Sequence, residues 1–130
     1  MDQTFLERVE RITTADARYH PDAYTFVMEA LPFTQKRLGR EYHVTGQELL
    51  AGIREFALRK FGPLVNTVFA HWGVKSTEDF GCIVFNLVEH GILAKQDEDT
   101  FESFRNGYDF GDAFASGYRR QLERAARRIR

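Results

Sequence analysis

The chain has 130 residues and a mass of 15.1 kDa, a length that suits one domain. Hydrophobic residues make up 43% and charged residues 28%, with a net charge of −1, so the composition excludes a largely disordered chain and does not indicate an obligate polyanion binder. No apolar run approaches the ~18 residues of a membrane span, and the N-terminus lacks the apolar stretch of a signal peptide. We therefore expect a cytoplasmic protein without a membrane span.

The charges are unevenly distributed along the chain. Residues 1–40 carry six acids and six bases, so this part is balanced. Residues 41–115 carry twelve acids against six bases, whereas residues 116–130 carry six arginines against one acid. An acidic body therefore ends in a basic tail.

Apolar spacing and prolines predict the first two helices. Apolar residues recur at helical spacing over residues 3–16. A second helix is predicted from Pro21, because proline is favoured in the first turn of a helix. Pro32 is predicted to bend or interrupt this helix, since proline removes a backbone donor and clashes with the preceding turn.

Capping residues and glycines predict the next three helices. Thr45 and Glu48 have the spacing of a capping box, and Gly62 is a natural stop for the helix that follows them. A fourth helix is predicted over residues 63–72. Thr77 is predicted to cap a fifth helix, which runs to the glycine after "EH".

The stretches "ILAKQ" and "TFESF" flank the acidic turn "DED", a pattern typical of a short β-hairpin. The predicted fold is mainly α, a single helical domain over residues 1–115. It has a winged-helix-like three-helix core plus the hairpin over about residues 46–104, with a helical pair before it. Residues 116–130 are predicted to form a basic amphipathic C-terminal helix or tail. A plain helical bundle with irregular loops is the alternative.

The predicted fifth helix does not have the chemistry of a DNA-recognition helix. Residues 80–90 are largely apolar and include no lysine or arginine, and Glu78 and Asp79 lie at the start of the helix. The candidate wing is acidic, with Asp97, Glu98 and Asp99. Because phosphate contacts supply most non-specific DNA affinity, this surface would repel a nucleic-acid backbone. A winged-helix core would therefore serve here as a scaffold or a protein-binding module.

The C-terminal tail is the candidate polyanion-binding segment. On a helix, Tyr118, Leu122 and Ala125 would lie along one apolar stripe, with the arginines on the opposite side. The stripe would either dock on the body with a solvated arginine face, or the tail would be an arm for RNA, DNA, anionic membrane or an acidic protein. The candidate polyanion-binding residues are Arg119, Arg120, Arg124, Arg127, Arg128 and Arg130.

The segment "RNGYDFGDAF" combines a turn signal with aromatic and acidic residues. It is a candidate protein-interaction surface, although its aromatic residues would equally fix the C-terminal helix to the body. The residues of this candidate surface are Tyr108, Asp109, Phe110 and Asp112.

Catalytic and metal-binding patterns are not indicated. The histidines lack the spacing of a metal motif, and Cys82 is typical of a small core residue. No catalytic residue, cofactor or metal is predicted. A small pocket formed by Asn66, His71 and His90 is the remaining enzymatic hypothesis.

Three stretches resemble one bacterial protein family. They are "HVTGQELLAGIREFALRKFGPLVNTVFAHWGV", "TEDFGCIVFNLVEHGIL" and "FRNGYDFGDAF", and the likeness covers about residues 22–115. The family is a conserved uncharacterised family that is largely restricted to planctomycetes and verrucomicrobia. The resemblance implies a bacterial cytosolic setting, and it implies no activity, cofactor or site residue.

We expect a non-enzymatic protein-binding or adaptor module with a protein partner or self-association. The first alternative is a nucleic-acid or ribosome-associated protein that binds RNA or DNA through the C-terminal arginines. The second alternative is a small enzyme.

Overall fold

The computed structural model describes residues 3–41, 43–94 and 101–129. The α-helices in these residues are α1 (Gln3–Ala15), α2 (Pro21–Leu38), α3 (Gly46–Phe61), α4 (Val65–Trp72), α5 (Thr77–Glu89) and α6 (Gly117–Ile129). Short 3₁₀ turns cover Gly62–Leu64 and Phe101–Phe104, and a π-helical turn covers Gly111–Ser116 directly before α6. The predicted mainly α class is confirmed for this part of the chain.

Helix α2 is the centre of the fold, because it contacts α1, α3, α4 and α5. Its buried face includes Phe26, whose ring packs against the rings of Phe69, Trp72 and Phe80 at centroid distances of 5.3–6.4 Å. Aromatic rings bury large apolar areas and pack at such distances, so this cluster holds α2, α4 and α5 together. Phe114 joins the same core from the π-helical turn.

Local signals set the start of α3 as predicted. The capping box is confirmed, since Thr45 Oγ1 accepts from the Glu48 N–H at 3.1 Å and the Glu48 carboxylate accepts from the Thr45 N–H at 3.0 Å. Gly62 ends the helix, also as predicted. The start of α5 differs by one residue, because Ser76 is the N-cap and the Thr77 hydroxyl accepts from the Gly107 N–H at 3.0 Å.

Helix α2 continues through Pro32 to Leu38 and is not interrupted. Ala30 and Thr34 are buried on either side of the proline, so packing against the body holds both halves in one helix. The predicted interruption at Pro32 is therefore wrong, and tertiary packing outweighs the local preference.

The predicted winged-helix core with a β-hairpin is wrong. No strand occurs in the described residues, and Phe101–Phe104, the predicted second strand, is a 3₁₀ turn. Phe104 is buried where this turn packs against α3 and α5, close to Gly46 and Gly81. A helical turn brings Phe104 into this space, whereas the predicted acidic turn over residues 97–99 lies outside the described residues.

The C-terminal helix leaves the body soon after it begins. Gly117 is buried and Tyr118 is partly buried, and the Tyr118 ring lies beside Gly62. From residue 119 to residue 128 every side chain is exposed, and Leu122 is 53% exposed. Beyond Tyr118, the apolar stripe of α6 is therefore not docked on the body over residues 119–128.

Candidate anion-binding site

A cleft of about 470 Å³ lies between α3 and the first turns of α6. Its charged side chains are four arginines and one glutamate, which gives a net formal charge of +3. The charged residues that line it are Arg37, Arg54, Glu55, Arg120 and Arg124. This volume and charge suit an anionic group of small-molecule size.

Arg54 is a partly buried arginine on the side of α3 that lines the cleft. It follows buried Leu50 and precedes buried Leu58 at intervals of four residues, so it lies on the core-facing side of the helix. Its side chain is half-buried, and its guanidinium lies 5.9 Å from the centre of the Tyr108 ring. No carboxylate in the described ranges pairs with Arg54.

Tyr108 forms one wall of the cleft and is held in place by hydrogen bonds. Its hydroxyl donates to the Leu50 carbonyl at 2.7 Å, and burial raises the pKa of the phenol well above its usual range. The preceding Asn106 has a left-handed φ of 52°, and the Asn106 N–H donates to the Glu78 carboxylate at 2.8 Å. A Cβ on Gly107 would lie 2.7 Å from a Leu50 methyl carbon and 3.1 Å from the Thr77 side chain, so a larger residue there would force these side chains to shift. Contacts with Leu50 on α3 and with Glu78 on α5 thus fix the position of the Tyr108 ring.

Glu55 neutralises only part of the positive charge. It pairs with Arg37, and it also accepts from Arg59 at 2.6 Å. In the part of the chain that the structure describes, no carboxylate pairs with Arg120 or Arg124. The cleft therefore presents unpaired guanidinium groups from α3 and from α6.

The exposed part of α6 extends this positive surface. At 100° per residue, Arg127 and Arg128 lie on the same side of the helix as Arg120 and Arg124. Residues 120–128 span about 12 Å along the axis at 1.5 Å per residue. The cleft and this side of α6 together form a continuous arginine track.

The predicted polyanion-binding residues therefore divide into two groups. Arg120 and Arg124 line the cleft, whereas Arg119, Arg127 and Arg128 are exposed farther along α6. Arg130 lies outside the described residues.

Arg37 and Arg54 were not predicted as site residues. Arg54 could have been found from its spacing, because it lies four residues from Leu50 and from Leu58 and so interrupts a stripe of buried leucines.

The predicted protein-interaction residues do not form one exposed aromatic surface. Tyr108 and Phe110 are partly buried against the core, and both rings contact Phe114. Asp109 and Asp112 are exposed, but the Asp109 carboxylate accepts from the Asp112 N–H at 3.0 Å and so caps the π-helical turn. The aromatic residues fix the start of the C-terminal helix to the body.

The three residues of the predicted small pocket have separate surroundings. The Asn66 amide donates to the Phe110 carbonyl at 3.5 Å, and the His71 ring lies 5.3 Å from the His20 ring. His90 Nδ1 contacts the Asn86 carbonyl of its own helix at 3.0 Å. None of the three lines the cleft.

A second polar cluster connects the α1–α2 loop to α5. The Asp16 carboxylate accepts from the Arg18 guanidinium at 2.7 Å and from the Asn86 amide at 3.0 Å. The same amide donates to the buried Tyr24 hydroxyl at 3.1 Å. The hydrogen bond from Arg18 is the main reason that the pKa of Asp16 is far below its usual range. All these groups satisfy one another, so the cluster has a structural role.

Comparison of the chain with known protein families, curated proteins and solved structures finds no match. None of the helices in residues 3–41, 43–94 and 101–129 combines the length and apolar composition needed to cross a bilayer.

Proposed function

We propose that this chain is a non-enzymatic binding module for nucleic acid, which it holds along the arginine track of the cleft and α6. The observation that carries the proposal is a group of arginines to which the described residues supply no carboxylate partner, Arg54 on α3 with Arg120 and Arg124 on α6. Guanidinium groups bind phosphate oxygens in a planar, two-bonded geometry, so such a track suits a sugar–phosphate backbone.

The composition of α6 favours phosphate over a membrane surface. All six basic residues from residue 119 onward are arginine, and none is lysine. An interfacial membrane helix needs a large apolar face, whereas the exposed stripe of α6 has Leu122 as its one large described side chain, beside two alanines. Charge rather than apolar burial is therefore the main attraction that α6 offers.

Binding through this track is expected to be independent of base sequence. Phosphate contacts position a nucleic acid but carry no sequence information. Association with RNA, including ribosomal RNA, in a bacterial cytoplasm agrees with this chemistry. The free thiol of Cys82 agrees with a reducing compartment.

The salt dependence of binding tests the proposal. Affinity for a fluorescein-labelled single-stranded 12-mer is measured by anisotropy at several salt concentrations. The logarithm of the affinity should fall linearly with the logarithm of the salt concentration, with a slope of about −0.7 per phosphate contact. The double variant Arg120→Gln/Arg124→Gln should make this slope shallower by about 1.4, because two contacts are lost.

The matched control removes the same charge elsewhere. Arg11→Gln/Lys75→Gln takes two positive charges from positions that do not line the cleft, so it should leave the slope unchanged. Equal effects of the two double variants would show that net charge rather than the track determines affinity. Poly-glutamate is the competitor. If it displaces the 12-mer at equal charge concentration, the partner is an acidic protein and the nucleic-acid proposal fails.

Self-association is the second candidate, and the exposure of Phe85 favours it. This ring is 61% exposed on α5, although large aromatic side chains are usually buried. Sedimentation velocity should show a mass that rises with concentration in the native chain and remains monomeric in Phe85→Ser. A monomer at all concentrations would exclude this candidate.

A further inference from the structure

Arg54 and Tyr108 form a pair that phosphate binding alone does not explain. The arginines along α6 are exposed cations, which suits contacts to the phosphates of a nucleic-acid backbone. Arg54 is instead half-buried between two leucines, and its guanidinium lies over a tyrosine ring whose hydroxyl is already bonded to the Leu50 carbonyl. Both side chains line the cleft. The arrangement presents a flat, cationic surface at a fixed position.

Such a surface suits the π-face of a nucleic-acid base. Single-stranded bases stack on aromatic rings and on arginine guanidinium planes. A base that enters the cleft can stack on the Arg54 guanidinium, whose central carbon lies 5.9 Å from the centre of the Tyr108 ring. A stacked base would also attract the Arg54 guanidinium through a cation–π interaction.

The size of the cleft limits what can enter it. A volume of about 470 Å³ lies within the range of small-molecule sites, so it suits one nucleotide rather than a double helix. Bases in a duplex are stacked on one another and cannot reach such a surface without unpairing. Arg120 and Arg124 line the same cleft, where they can contact the phosphate of an inserted nucleotide.

We propose that the cleft takes one nucleotide of a single-stranded nucleic acid, with its base stacked on Arg54 above Tyr108 and its phosphate on Arg120 and Arg124. The proposal rests on the proposed function and adds a preference for single strands over duplexes. It also assigns different roles to the arginines, since Arg54 contributes a planar surface and the α6 arginines contribute charge.

The variant Arg54→Lys separates these roles, because it keeps the charge and removes the plane. The full chain is titrated with a labelled single-stranded 12-mer and with its duplex. Arg54→Lys should lower single-strand affinity about tenfold, the size of one lost base stack, and leave duplex affinity and both salt slopes unchanged. Arg11→Lys is the matched control, because it makes the same substitution at an exposed position that does not line the cleft, and it should leave single-strand affinity unchanged. Equal losses for both probes, or no loss for the single strand, would overturn the inference.

A measurement on the native chain keeps the test independent of the folding of Arg54→Lys. Adenosine monophosphate is titrated into isotope-labelled protein, and the Arg54 Nε–H resonance is followed by NMR. Stacking should move this resonance upfield through the ring current of the base, whereas inorganic phosphate should not. An unchanged resonance at saturating nucleotide would overturn the inference. Absence of binding to either 12-mer would instead overturn the proposed function itself, so the two failures are distinguishable.

Discussion

At the scale of single residues, Gly52 and Thr34 mark a close approach between α2 and α3. A Cβ placed on Gly52 would lie 1.8 Å from Thr34 Oγ1 and 2.8 Å from Thr34 Cβ. Thr34 is buried, and its hydroxyl donates to the Ala30 carbonyl at 2.7 Å. The threonine therefore cannot move aside without breaking that bond or shifting the helix. Glycine at position 52 allows the two helices to pack at this distance.

Gly52→Ala should destabilise the chain by roughly 2–3 kcal/mol, because an added methyl group in a filled space forces the backbone to shift. Alanine is otherwise the better helix former, so a loss of stability would be due to the clash. The free energy of unfolding in urea measures the effect. Ala51→Ser, at the exposed neighbouring position, is the control and should cost about 0.5 kcal/mol. A stabilised Gly52→Ala variant would contradict the packing described here.

Asp16 is predicted to make stability depend on pH at the acidic end. Its pKa in the folded chain is lowered, mainly by the hydrogen bond from Arg18, below the ~3.9 of an unfolded chain. A lowered carboxyl pKa contributes stability above the unfolded value, and this contribution is lost as the pH falls towards the folded value. Asp16→Asn should therefore cost roughly 1 kcal/mol at pH 7, and the cost should shrink below about pH 4.

Urea unfolding of the native chain and of Asp16→Asn at pH 7, 5, 3 and 2 measures this difference. Glu10→Gln removes an exposed carboxylate from α1 and should have a smaller effect at every pH. A difference between the native chain and Asp16→Asn that stays constant down to pH 2 would show that the Asp16 charge does not contribute.

At the scale of elements, the turn Phe101–Phe104 packs against the core, although its residues were predicted to form a strand. Phe104 is 3% exposed and closes the core between α3 and α5. Phe104→Ala should destabilise the chain by about 3 kcal/mol, through lost burial and the cavity that remains. Phe85→Ala makes the same chemical change at a site that is 61% exposed, so it should stay within about 0.5 kcal/mol. Similar losses in the two variants would be incompatible with this turn.

The error over this turn has a local cause. The aromatic residues of "TFESF" are three residues apart, which suits one side of a helical turn, whereas a strand alternates every second residue. The acidic residues before this segment are typical of a hairpin turn, so the strand prediction rests on them rather than on the spacing of the two phenylalanines. Features that depend on a few adjacent residues, such as the capping box of Thr45 and Glu48, were predictable. The cleft could not be predicted from the sequence, because Arg37, Arg54 and Arg120 come together only through tertiary packing.

At the scale of the whole molecule, we expect the basic helix α6 to contribute little to the stability of the acidic body. Residues 119–128 are exposed, so they contribute little to the core. A chain that ends after Tyr118 should keep its free energy of unfolding within about 1 kcal/mol and lose its affinity for single-stranded nucleic acid. Urea unfolding and anisotropy measure the two quantities on the same preparation.

A large loss of stability on this truncation would mean that α6 packs on the body in solution. Retention of salt-sensitive binding would mean that the remaining arginines of α2 and α3 are sufficient. A chain in which the six C-terminal arginines are replaced by lysine is the matched control. It keeps the charge, so it should retain the salt slope of the native chain while losing the planar contacts of arginine.

The π-helical turn Gly111–Ser116 has a consequence for the rotational phase of everything that follows it. Such a turn fits one more residue into the helix than an α-helical turn does, so it acts as a one-residue insertion. Deleting Ala115 should therefore allow an α-helical turn and leave the phase of α6 nearly unchanged, whereas an α-helical turn formed by all six residues would rotate α6 by about 100° relative to the body. Arg120 and Arg124 would then point away from Arg54, although every basic residue would still be present. The π-helical turn thus sets the rotation of α6 about its axis, and this rotation places Arg120 and Arg124 at the cleft.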